Sequence, residues 1–301
     1  MCKMINFSNE WFHGAHYIEQ SGGHYAFAIY GLLQYIEPYN GRIFTSIDTI
    51  RDCFSMSEDS RTHMKHLKNA IKFLYEQKMI EFYSNPLMKE KIECDIDRIK
   101  GKTPLFIRLI NLPKNRMTLI KQTEFEKIID DETLGSNTKM EILCYFSAII
   151  SHININENVS YASMELLKKE AKIGRYSTCT KYNKKLVEIG IMIYGNAGTK
   201  SRNKNSQYTG EANGNVSNTY ARPEYQFELD QYIHNMQESQ RAFQTSEEIR
   251  EKGRKSTSLK MSINHARKRL AKYTDQKDID AEKANLLSLE AQYRALTGKA
   301  P

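Results

Sequence analysis

Apolar positions recur at helical spacing through the first third of the chain. HYAFAIYGLLQYIE, from His24, places Phe27, Tyr30, Leu33 or Gln34, and Ile36 on one side of a helix. Pro38 and Asn40-Gly41 end it in a turn, and Arg42-Ile43-Phe44 reads as a short strand. Thr45 and Asp48 have capping-box spacing ahead of a second short helix, IDTIRDCF. Ser57, Glu58 and Asp59 suit the start of a third, in which Met64, Leu67, Ile71 and Leu74 make an apolar stripe. Arg61, Lys65, Lys68 and Lys72 make a basic stripe on another face of it. Met79–Tyr83 and Thr103–Ile110 then read as strands on either side of a charged insertion.

The same order returns further on. Pro113 and the polar residues after it suit a linker. Ser136-Asn137-Thr138 cap a helix with Met140, Leu143, Cys144, Phe146 and Ile150 at apolar positions. Ser160 is the expected N-cap of YASMELLKKEA, and Gly174 suits a positive-φ turn after it. The next helix, RYSTCTKYNKKLVEI, turns Cys179, Tyr182 and Leu186 to one side. Arg175, Thr178, Lys181 and Lys185 project elsewhere, with Ser177, Thr180 and Lys184 beside them. Gly190 ends that helix. Ile191–Tyr194 and Val216–Ala221 are strands, joined by a polar loop carrying Lys200, Arg202 and Lys204.

Three helices followed by two strands is the order of a winged helix. The expected fold is therefore mainly α with small β-wings (α+β): winged helix-turn-helix domains at 1–112 and 113–223, then a helical C-terminal extension at 224–301. In that extension Gly253-Arg254-Lys255 is expected to break a polar helix. Leu259, Ile263, Ala266, Leu270 and Tyr273 then form a heptad-like seam. Beyond Thr274-Asp275 the apolar phase shifts to Ile279, Leu286, Leu289, Tyr293 and Leu296, as in a helical hairpin or coiled coil.

Composition narrows the partners. Forty-four Lys and Arg against 36 Asp and Glu give a net charge of +8, which favours a polyanion. A recognition helix enters the major groove with short hydroxyls and long cations, the residue types found at 175–185. A basic loop at a wing tip suits the sugar-phosphate backbone. Five widely spaced cysteines without a C-x-x-C pair argue against a disulfide framework or zinc ribbon. No apolar run spans a bilayer and the first twenty residues lack a signal-peptide core, so a cytoplasmic protein with no membrane association is expected. His63 and His66 lack further ligands at metal-site spacing, and neither H-x-H nor G-x-x-x-x-G-K-[ST] occurs. A non-enzymatic protein without cofactor is the expectation.

Ser177-Thr178, Leu186 and Gly190-Ile191 resemble the recognition-helix signature of winged-helix proteins from low-GC bacteria and their mobile elements. Asn218-Thr219-Tyr220 resembles the wing return strand of replication initiators from Gram-positive plasmids and phages. The first domain is similar in a degenerate form, with Lys78 where glycine is usual, and Asn183 occupies a normally apolar position. The resemblance implies double-stranded DNA as partner, bound at repeated origin sites by tandem winged helices, as a homodimer or cooperative assembly. Two other readings stay open: a transcriptional regulator of a mobile element, and a replisome adaptor whose tail recruits a replicative helicase or loader.

Overall fold

Two helices carry too little polar surface to lie outside, and the fold is assembled around them. In the computed structural model, which describes residues 3–12, 17–20, 23–37, 41–57, 61–110, 117–196 and 218–299, these are α2 (Tyr25–Ile36) and α6 (Ser136–Ser151). Every residue of α2 from Ala26 to Gln34 is buried, as is nearly all of α6 from Lys139 to Ile150. The two helices pack on each other. The chain is mainly helical with small antiparallel sheets, and it separates into compact units at Met1–Ile233 and His234–Pro301.

Within the first unit one succession of elements occurs twice. After α2 come β2 (Arg42–Thr45), α3 (Ile47–Cys53), α4 (Arg61–Glu76), β3 (Ile80–Tyr83) and β5 (Leu105–Leu109), with a two-residue strand β4 (Lys91–Ile92) in the charged insertion. After α6 come β7 (Val159–Ser160), α7 (Met164–Glu170), α8 (Tyr176–Glu188), β8 (Ile193–Gly195) and β9 (Thr219–Ala221). In both halves the last strand lies between the other two: β2-β5-β3 in the first and β7-β9-β8 in the second, all antiparallel.

The correspondence extends to helix ends. α3 and α7 both close with paired 6→1 and 5→2 bonds, Met56 N to Arg51 O with Ser55 N to Asp52 O, and Ile173 N to Lys168 O with Lys172 N to Lys169 O. α4 and α8 close the same way at Lys78 and Gly190. Ser55, Lys78, Lys172 and Gly190 all take positive φ, between 50° and 68°. The positive φ expected at Gly174 thus falls on Lys172, because the helix ends earlier than the sequence pattern implies.

Other boundaries also move. Ser160 lies in β7, and the N-cap of α7 is Ser163, whose hydroxyl accepts from Leu166 N at 3.1 Å. Ser46 rather than Thr45 caps α3. Gly135 stands at the N-cap of α6, without a side-chain capping bond. The expected starts of the third helix and of the linker, 58–60 and 111–116, lie outside the described residues.

The halves share one core. β1 (Met4–Ser8) pairs with β6 (Met117–Lys121), which runs into α5 (Gln122–Ile129), and a one-turn helix, α1 (Tyr17–Gln20), precedes α2. Aromatic residues of this N-terminal segment fill the junction: Phe7 stacks on Phe27 with centroids 4.0 Å apart, and Trp11 meets Phe27 edge-on. His24 Nε2 lies 2.6 Å from the Ala171 carbonyl oxygen, and buried Lys139 donates to the Ile129 carbonyl and, at 3.3 Å, to Ser55 Oγ. At the end of β9, Arg222 grips Glu124 through Nε and Nη2, at 2.6 and 3.1 Å, and donates to Leu119 O.

The second unit consists of the C-terminal part of α9 (Gln226–Leu270) and of α10 (Gln276–Thr297). α9 passes through Gly253-Arg254-Lys255 unbroken. Nothing lies within 4 Å of the Cβ position at Gly253, so this glycine answers no packing demand. Asp275 caps α10, and Gly298 ends it in the left-handed region. Arg267–Glu290, Arg269–Glu282 and Lys260 over the Tyr293 ring pair the helices antiparallel, around Ile263, Ala266 and Tyr293. No helix among the described residues is long and apolar enough to cross a membrane.

Candidate nucleic-acid interface

α8 is held from beneath by apolar and polar contacts together. Cys179, Tyr182, Asn183 and Leu186 are buried along its inner side. Tyr182 donates to Glu141 on α6, and Asn183 Oδ1 accepts from Tyr145 at 3.0 Å. Burial pushes the Cys179 thiol up to about 11, so it stays protonated and unreactive near neutral pH.

The outer side of α8 carries the expected donors. Arg175, at the N-cap, and Ser177, Thr180, Lys181 and Lys184 are exposed, and Thr178 is half-buried. Thr180 Oγ1 donates back to Tyr176 O at 3.2 Å. Lys185 differs from its neighbours. Its ammonium meets Asp131 at 2.8 Å and Glu188 and Thr133 Oγ1 at 2.9 Å, which leaves the side chain only 14% exposed. Lys200, Arg202 and Lys204 lie outside the described residues.

Three further cations sit beside the turn into α8. Lys168, Lys169 and Lys172, with Glu165 and Ile173, line an open depression of about 410 Å³. Lys168 Nζ stands 4.7 Å from the Tyr176 ring centroid. Sequence reasoning misses these lysines, although the run KKEAK marks them. The periodicity of that segment points only to its apolar positions, and the turn that gathers the cations is not visible in it.

The basic stripe of α4 is only partly presented. Arg61 and Lys65 are exposed. Lys68 donates to the Asp97 carbonyl oxygen at 2.8 Å, and Lys72 pairs with the Asp97 carboxylate at 3.6 Å. Asp97 belongs to a 3₁₀ turn, Ile96–Arg98, which the buried Ile96 pins down. The charged insertion therefore folds against the stripe's C-terminal half.

His63 and His66 lie against Tyr25. The Tyr25 hydroxyl is 2.8 Å from His63 Nδ1 and donates at 2.8 Å to Asn137 Oδ1, so this cluster serves the junction between halves. Among the described residues no group of three His, Cys, Asp or Glu could hold a metal ion. No protein-family model, no curated protein and no solved structure matches the chain.

Proposed function

We propose that the chain is a non-enzymatic, sequence-specific double-stranded DNA-binding protein made of two winged helices, with α8 as the principal reader. What carries this reading is the division of labour on α8. Its inner side is fixed to α6 and β9, and its outer side presents Arg175, Ser177, Thr180, Lys181 and Lys184. A rigid helix with exposed cations and short hydroxyls suits base edges and phosphates in a major groove. Lys168, Lys169 and Lys172, which line the depression beside the turn into α8, add cations suited to flanking phosphates. The duplicated order of elements supports two such units in tandem, and hence the replication-initiator reading, with repeated half-sites bound cooperatively.

Neutralising Arg175, Lys181 and Lys184 together tests the proposal. The expected result is weaker duplex binding and a salt slope reduced by about 0.9 for each phosphate no longer neutralised. Unchanged affinity and slope would remove α8 as the reader. Footprinting separates the biological roles: an array of direct repeats favours initiation, and a single palindrome at a promoter favours a transcriptional regulator. The helical hairpin of the second unit supports the adaptor reading, in which a replicative helicase or loader is recruited. Its test is recovery of such an enzyme by the full chain, and loss of that recovery on truncation after residue 233.

A further inference from the structure

One side of α10 has no covering element. Ile279, Leu286, Leu289, Tyr293 and Leu296 are buried or half-buried along the side that meets α9. Glu282 and Glu290 hold Arg269 and Arg267 from that same side. The opposite side carries Ala281, Ala284, Ser288, Ala291 and Ala295 at heptad-like spacing, all exposed. Leu287 stands beside this row and is 68% exposed.

A lone exposed leucine needs no explanation, and alanines on a helix surface can serve helix propensity alone. This face also lacks charge. Between Lys283 and Arg294 no exposed residue is ionic, whereas Lys260, Arg267, Lys268 and Arg269 are all exposed on α9. An uncharged centre with a charged rim is the composition of a protein interface. The hairpin also has a small core of its own. Among the described residues of the second unit only Ile263, Ala266 and Tyr293 are buried, and a unit with so few buried groups gains stability from association.

Charge complementarity selects the occupant. Asp280 lies one heptad before Leu287 and Arg294 one heptad after it, and both are exposed. Two copies of α10 laid antiparallel bring Leu287 onto Leu287, and Asp280 of each copy onto Arg294 of the other. Ala281 and Ala295 flank Ser288 in the same way, so the small-residue row matches itself when reversed. A parallel pair would instead set Asp280 against Asn285 and Leu287 against Gln292, with no ion pair formed. Asp280 accepts from Gln276 at 2.9 Å, and a carboxylate takes several donors.

We propose that the exposed face of α10 is a dimerisation surface, on which two copies of the chain pair antiparallel about Leu287 and Ser288. This surface lies outside α8 and does not rest on the duplex-binding proposal. The stretch from Ala281 to Ala295 is about 22 Å long, so a weak, concentration-dependent dimer is expected.

Sedimentation velocity of the full chain across a concentration series reads the association, against a monomer mass of 35.0 kDa. Leu287→Lys should weaken it roughly 100-fold or more, since two leucines lose burial and two ammonium groups meet. Asp280→Arg and Arg294→Asp should each weaken it roughly 5- to 30-fold, by turning both ion pairs into like-charge contacts. The double reversal should restore the native value. Mixing the two single variants should restore it too, because each then supplies the charge that the other lacks. All three positions are exposed, and an unaltered helical circular dichroism signal checks that the variants fold.

A native chain that stays at 35.0 kDa throughout the series would overturn the proposal. So would a Leu287→Lys chain that associates as the native one does, since the contact would then lie elsewhere. Single reversals without recovery in the double variant would remove the antiparallel pairing of Asp280 with Arg294. Neutralising Arg175, Lys181 and Lys184 should leave the association unchanged, so this proposal and the duplex-binding proposal fail separately.

Discussion

Tyr145 on α6 donates its hydroxyl to Asn183 Oδ1 on α8 at 3.0 Å, at a position where the pattern of the helix asks for an apolar residue. Asn183 is 1% exposed, and its amide reaches the Tyr220 hydroxyl on β9 at 3.4 Å. Asn218 donates to the same hydroxyl at 3.4 Å. One buried amide thus joins α6, α8 and strand β9. Removing one partner of a buried hydrogen bond costs about 1–3 kcal/mol, because the other stays desolvated. Tyr145→Phe and Asn183→Leu should each lower unfolding free energy by about that much. The double variant should lose less than the sum, with a coupling of about 0.5–3 kcal/mol in urea denaturation. Additive losses would mean that the two groups do not depend on each other.

The equivalence of Lys78 and Gly190 gives a prediction of opposite signs. Both residues end the last helix of their half with positive φ, 54° and 68°, and both sit in the same pair of closing hydrogen bonds. A non-glycine residue in this region is strained by about 1–3 kcal/mol, partly offset by glycine's larger entropy loss on folding. Lys78→Gly should therefore stabilise the protein by about 0.5–1 kcal/mol, and Gly190→Lys should destabilise it by a similar amount. Paired thermal melts check the signs. A destabilised Lys78→Gly variant would show that the lysine side chain contributes more than its backbone loses.

Gly31 tests the shared core directly. A Cβ there would lie 2.9 Å from Phe7 Cζ and 3.1 Å from Phe125 Cε2, and both rings are fully buried. Neither ring can move without disturbing others, since Phe7 stacks on Phe27 and Phe125 on Tyr35. Gly31→Ala should cost about 1–3 kcal/mol by overpacking. The expected melt remains a single transition, because these rings come from strand β1 and helix α5 and join both halves. Two separated transitions would show that the halves unfold independently.

The duplicated order of elements was legible because short apolar stripes at helical spacing, followed by short strand-like runs, recur in both halves. The long-range pairing was not. β1 is five residues of MINFS, and its partner β6 lies more than a hundred residues on, so no local period announces the pair. Cap residues misled where two candidates stood close together: Ser160 and Ser163 differ by three positions, and only Ser163 reaches an open N–H of the helix. Gly253 misled because one glycine is a weak helix breaker when its neighbours propagate the helix. On α8 the basic positions were visible in sequence. The neutralisation of Lys185 was not, since Asp131 and Thr133 lie on the loop before α6, some fifty residues away.

That ion pair makes Lys185 and Lys181 separable by experiment. Burial pushes the Asp131 carboxyl upward, but the Lys185 ammonium and the Thr133 hydroxyl and amide outweigh it and hold it below its ordinary value of 3.8. A carboxylate with a lowered folded pKa adds stability above its unfolded pKa and loses it as pH falls through the folded value. Stability should therefore decline on acidification from about pH 4 downward, and Asp131→Asn should flatten that decline. Lys185→Ala should destabilise the protein near neutral pH and leave the salt slope of duplex binding unchanged. Lys181→Ala should do the reverse, lowering the slope by about 0.9 with little effect on the melt. If Lys185→Ala lowers the slope as much as Lys181→Ala does, the Asp131 pair must open in the complex, and Lys185 is then a phosphate ligand.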